Sequence, residues 1–148
     1  MSEEINEFDI SPYTDEEAVE ALGKLADHPA VLEVSKAIFP DEKPEFLRTV
    51  LKSVRSIDEF QILVMNKAIE WVLSTTAHNF SYDGIANIKK IDGKFLAMSN
   101  HRDIILDPAI TQVVLYRNGI PMTEIAVGSN LLSNKYVEYL IRSNRMIK

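Results

Sequence analysis

The stretch that most restricts the fold of this chain is residues 56–76. Ser56-Ile57-Asp58-Glu59 reads as a capping box, a hydroxyl for an early amide and a carboxylate reaching back, so a helix starts there. The residues behind the box are apolar nearly all round the helix: Phe60, Ile62, Leu63, Val64, Met65, Ala68, Ile69, Trp71, Val72 and Leu73. Such a helix must be covered on more than one side. The sequence therefore predicts a spine that joins two layers. Asn66, Lys67 and Glu70 interrupt its most apolar part, residues 62–73, so it is not a transmembrane span.

Ahead of the spine the pattern is helical. Residues 1–12 are acidic and poor in apolar groups, the composition of an arm. Thr14-Asp15-Glu16-Glu17 is a capping box, and Ala18, Leu22 and Leu25, with Val19 and Ala21, form a one-sided stripe behind it. A break at Asp27-His28-Pro29 precedes a second helix over about 30–38, ended by Phe39-Pro40. A third, near 44–55, carries Phe46, Leu47, Val50, Leu51 and Val54 on one face.

Beyond Phe80 the pattern changes to short β-compatible runs at 84–89, 94–99 and 123–128. A helix from Pro108 to about Arg117, stopped by Asn118-Gly119, separates the last two, which predicts parallel strands joined by a crossover. A final helix is expected near 134–143, and Arg145-Met146-Ile147-Lys148 opens a further strand. The expected fold class is α/β: an N-terminal helical region over 1–80, then over 81–148 the first half of a mixed or parallel sheet with covering helices.

In a chain of 148 residues, one domain, or a small domain with an appendage, can bury a real core. The absence of cysteine excludes disulfides, thiolate metal sites and a cysteine nucleophile. Residues 1–88 carry 7 basic and 17 acidic groups, whereas residues 89–148 carry 9 and 5. The net charge of −6, without a basic stripe, argues against nucleic acid. The basic C-terminal part could still meet a phosphate or an anionic membrane surface. Such asymmetry is a weak pointer, and a plain solvated mix of surface charges is the favoured reading. The acidic opening residues lack the basic region of a secretory signal, so a cytoplasmic protein is expected.

The chemistry concentrates in Ser99-Asn100-His101-Arg102-Asp103-Ile104-Ile105-Leu106-Asp107-Pro108, directly after the apolar run Phe95-Leu96-Ala97-Met98. A strand end delivering Asn100-His101 to a helix start marks the crevice where open α/β sheets bind ligands. One imidazole with Asp103 and Asp107 behind it is the minimum kit for a base and its orienting partner. Asp107 before Pro108 also reads as an N-cap with proline at the first helical position. The two roles are compatible, because the second carboxylate oxygen remains for the imidazole. A lone histidine at a strand end is more commonly a structural residue, and it is the company of Asn100, Asp103 and Asp107 that marks His101 out. Arg102 faces either water or a substrate phosphate. His28, beside Pro29, and His78 read as structural, and neither has metal-ligand spacing. Ser129 lacks the Gly-x-Ser-x-Gly elbow, and no Gly-x-Gly-x-x-Gly or Walker-type loop occurs.

The Asn100-His101 to Asp107 segment resembles motif I of the glycerolipid acyltransferases, the family that includes the glycerol-3-phosphate and 1-acyl-glycerol-3-phosphate acyltransferases. The likeness extends over residues 95–110, over Thr123-Glu124-Ile125-Ala126-Val127-Gly128-Ser129-Asn130-Leu131-Leu132 and to the helical lead-in from Thr14. It implies transfer of a fatty acyl group from a thioester, on CoA or acyl carrier protein, to a glycerol-phosphate or lysophospholipid hydroxyl. It further implies His101 as general base, Asp107 holding the imidazole, Asn100 supporting the turn, Arg102 on the substrate side, and neither metal nor cofactor. Contact would be peripheral, at the inner face of a membrane.

This motif has five residues between His101 and Asp107, where the family has four, and Asp103 is the alternative partner. The family's later motifs, a phosphate-binding arginine and a Gly/Glu-containing segment, have no counterpart here, so the expectation is a truncated acyltransferase that carries the base. A noncatalytic binding or interaction module is the other reading. A small hydrolase is weaker, because no serine or cysteine nucleophile stands beside the histidine.

Overall fold

A computed structural model describes residues 11–147, so most of the acidic arm expected over 1–12 lies outside the described residues. The chain divides into two compact units. One takes the described residues up to Met65 together with those from Glu124 onward; the other is Asn66–Thr123.

In the first unit, α1 (Asp15–Ala26) starts at the Thr14 capping box: Thr14 Oγ1 accepts the Glu17 amide at 3.2 Å, and Glu17 accepts the Thr14 amide at 2.8 Å. Helices α2 (Ala30–Ile38) and α3 (Phe46–Ser53) come next, and α3 packs on both α1 and α2. Ala18, Leu22 and Ala26 on α1 and Leu47 and Leu51 on α3 are buried where the two helices pack, and Val31, Val54 and Phe60 are buried as well. The polar ends are tied as well. Ser35 Oγ, fully buried, accepts the Leu47 amide at 3.2 Å, and Arg48 Nε donates to the Ala26 carbonyl at 2.9 Å.

The apolar helix forms over the expected length, in three parts: α4 (Ile57–Phe60), a π-helical stretch Gln61–Asn66 and α5 (Lys67–Thr76). Ser56 caps it by accepting the Glu59 amide at 3.1 Å. The return arm is displaced by one residue, since Glu59 accepts from the Arg55 amide instead. Within the π stretch, Gln61 is 1% exposed; its Nε2 donates to Asn144 Oδ1 at 3.2 Å and its Oε1 accepts from Arg145 Nε at 2.9 Å. Arg145 also pairs with Asp58 and adopts a φ of 56°, a region seldom visited by residues other than glycine.

The α/β expectation is overturned. Of the described residues 56% are helical and 3% are in strands, with a single parallel pair among them. That pair is β1 (Ile125–Ala126) against β2 (Met146–Ile147), closed by Ile125 N–H to Arg145 O at 3.0 Å and Val127 N–H to Ile147 O at 2.9 Å. A 3-10 turn (Ser129–Leu132) and α8 (Lys135–Arg142) connect the strands, so the parallel crossover comes one element later than expected. So small a ladder is not stable by itself; α8 packs on both β2 and α1.

The other two β-compatible runs form no strand. Residues 84–89 become the single helical turn α6 (Ile85–Ile88), because Gly84 takes a φ of 83° and Ile85 and Ile88 then share a helical face. Residues 94–99 hold a strand-like apolar run but have no regular structure and no ladder partner among the described residues. Backbone pairing is what turns a β-compatible run into a strand.

In the second unit, α5 packs against α7 (Leu106–Arg117) through Ile69, Ala109 and Val113, with Leu73, Leu106 and Ile110 beside them. Arg117 pairs with Glu70 across the same two helices. Gln112 locks the chain after α7 by donating to Thr123 Oγ1 at 3.0 Å and accepting the Thr123 amide at 2.8 Å. The stop is a Schellman turn. Gly119, at φ 67°, donates to the Tyr116 carbonyl at 3.0 Å, and Ile120 donates to that of Leu115 at 3.0 Å.

Candidate functional site

The His101 segment enters α7, so the helix start decides its geometry. Asp103 Oδ1 accepts the amides of Ile105 at 2.8 Å and Leu106 at 2.7 Å. A short acidic side chain reaching amides two and three residues on is the local pattern that starts helices. Helix α7 consequently begins at Leu106, with Asp107 second and Pro108 third, earlier than a cap at Asp107 requires. Pro108 still falls in the first turn, where amides have no intrahelical acceptor, so its missing N–H leaves nothing unpaired.

Asp107 is released from capping and turns back on the loop. Its Oδ2 accepts the Arg102 amide at 2.6 Å and the Asp103 amide at 3.1 Å. The two carboxylates thus hold the amides of Arg102, Asp103, Ile105 and Leu106. The Leu106 and Ile105 amides keep the Asp103 carboxyl below its ordinary 3.8, against some desolvation, and the charge of His101 acts in the same direction.

His101 stands at the open end of this loop, exposed, and its ring makes no hydrogen bond among the described residues. Asp107 therefore touches the peptide after His101 and makes no hydrogen bond to the imidazole. Asn100 and Arg102 are exposed too, and their side chains form no hydrogen bond or ion pair among the described residues. The turn is fastened by the aspartates, with no contribution from the Asn100 side chain. Leu96 and Met98 precede the motif at 84% and 87% exposure, and Ile104 and Ile105 within it are exposed as well.

No family model, curated protein or solved structure matches this chain. The site rests on its own geometry.

No helix among the described residues is long and apolar enough to cross a membrane. Among the described residues no group of three or more His, Cys, Asp or Glu is placed to hold a metal ion. His28 is structural: its Nδ1 accepts the Ala30 amide at 3.2 Å, and its ring lies 4.3 Å from that of Tyr136. Ser129 opens a 3-10 turn. The cap-like bonds expected of Asp107 belong to Asp103, and an aspartate ahead of Ile104-Ile105-Leu106 carries that signal in the sequence.

Proposed function

We propose that the His101 loop is the base-carrying part of an acyltransferase acting on a glycerol-phosphate or lysophospholipid hydroxyl. The observation that supports this most is an exposed imidazole without an internal hydrogen bond, on a loop that two carboxylates hold in one shape. A general base needs a free ring nitrogen within reach of the proton it takes, and a fixed position. In this reading His101 takes the hydroxyl proton as the oxygen attacks the thioester carbonyl of acyl-CoA or acyl carrier protein. Collapse of the tetrahedral adduct breaks the carbon–sulfur bond, and the departing thiolate recovers the proton from the imidazolium. The products are an ester and a free thiol. Arg102, exposed and unpaired among the described residues, suits an acceptor phosphate. The exposed Leu96, Met98, Ile104 and Ile105 suit an acyl chain or the inner face of a membrane, approached from the cytoplasm.

The test is acyl transfer to glycerol phosphate and lysophosphatidate, for the chain and for His101→Ala. Loss of a general base removes about a hundredfold or more in rate. Undiminished turnover in the alanine variant sinks the proposal. The exposed apolar residues also favour a second reading, a noncatalytic interaction module in which His101 only braces the loop. That reading expects His101→Ala to leave acyl-donor affinity unchanged, and a lost affinity refutes it.

A further inference from the structure

In a His–Asp pair of the usual kind the carboxylate accepts from the imidazole and fixes its tautomer. Here the carboxylate expected in that role is engaged elsewhere. Asp107 Oδ2 takes the Arg102 amide at 2.6 Å and the Asp103 amide at 3.1 Å. The Arg102 amide belongs to the peptide unit whose carbonyl carbon is that of His101. Holding it fixes where the His101 Cα and Cβ point. From the other side, Asp103 ties the loop to the first turn of α7 through the Ile105 and Leu106 amides. Helix α7 is itself packed on α5 through Ala109 and Val113. An unbroken chain of contacts therefore runs from a buried helix face to the backbone of His101, and the imidazole is absent from it.

We infer that Asp107 is a positioning residue that orients His101 through the main chain, by anchoring the Arg102 amide, and not through the ring. Its catalytic consequence rests on the acyl-transfer reading; its structural content does not. What Asp107 must supply is an acceptor oxygen at that place, and a negative charge beside the imidazole is not required. An asparagine supplies the same oxygen. An alanine supplies none and leaves the Arg102 and Asp103 amides to water.

The experiment compares the chain with Asp107→Asn and Asp107→Ala in two readouts. Amide exchange and amide proton shifts at Arg102 and Asp103, followed by NMR, need no activity. The inference expects both amides to stay within about threefold of the unaltered exchange rate in Asp107→Asn and to speed up by about tenfold in Asp107→Ala, the loss of a charge-assisted hydrogen bond. Equal exchange in all three proteins overturns it. In acyl transfer, kcat falls by about tenfold or more in Asp107→Ala with KM little changed, while Asp107→Asn recovers most of that loss and keeps the pH profile. An Asp107→Asn protein with anchored amides but kcat as low as Asp107→Ala overturns the inference in favour of a ring partner. Absent His101-dependent turnover in the unaltered chain, the acyl-transfer reading fails alone, and the exchange readout still decides the role of Asp107.

Discussion

Replacing Gln61 by leucine tests whether a buried polar cluster holds the π-helical stretch to the C-terminal strand. Gln61 is 1% exposed and Asn144 5%, so neither can turn to water for a substitute partner. Leucine fills a similar volume but removes the donor to Asn144 Oδ1 and the acceptor for Arg145 Nε. A buried neutral group left unpaired costs about 1–3 kcal/mol, and a charged donor costs more. Arg145 keeps Asp58 as an acceptor, which limits its share. The leucine side chain returns roughly 1 kcal/mol through apolar burial. The net loss is about 2–4 kcal/mol, and at about 2–4 °C per kcal/mol for a chain of this size the melting point falls by roughly 5–15 °C.

Urea unfolding monitored by far-ultraviolet circular dichroism reads this directly. The midpoint drops while the m-value stays put, because the surface exposed on unfolding hardly changes. A double-mutant cycle with Asn144→Ala adds a check: groups in one network couple by about 0.5–3 kcal/mol. A loss under about 0.5 kcal/mol, the size of an ordinary surface change, together with an additive cycle would refute the reasoning.

Thr14→Ala opens the capping box of α1 and lowers stability by about 1 kcal/mol, read as a shift in the urea midpoint; an unshifted midpoint means the box is not formed in solution. Gly119→Ala costs about 1–2 kcal/mol because an L side chain strains the left-handed conformation, although its Cβ meets no neighbour within 4 Å. Gly119→Asn recovers part of that loss, and equal stability of the alanine variant contradicts the Schellman stop. The Asp103 carboxyl is held below 3.8 in the folded chain, so its stabilisation of the α7 start is complete above that value and is lost as pH falls through the lower folded one. Carboxyl NMR shows this depressed midpoint, which Asp103 loses if the Ile105 and Leu106 amides are not bound.

Much of the helical part was legible because its signals are local. Thr14 with Glu17 and Ser56 with Glu59 act within three residues. The apolar faces of α1 and α3 turned out to be the buried ones, at Ala18, Leu22, Leu47 and Leu51. The candidate site was legible as a set of residues and not as an arrangement. His101, Asp103 and Asp107 were all visible, but both aspartates carry cap-like spacing, and only the folded loop shows which takes which amides.

The β part failed for a different reason. Residues 84–89 and 94–99 share the apolar content of residues 123–128, yet only the last forms a strand, because β2 lies beside it. A helix closes its hydrogen bonds within itself, so a cap, a stripe and a glycine stop suffice to write it in the sequence. A strand takes its hydrogen bonds from another segment, and what the tertiary structure decided was where such a partner exists. The same distinction divides the site. The sequence by itself determined that a histidine and two aspartates share one short loop, and the folded backbone decided which amides each aspartate holds: Ile105 and Leu106 for Asp103, Arg102 and Asp103 for Asp107.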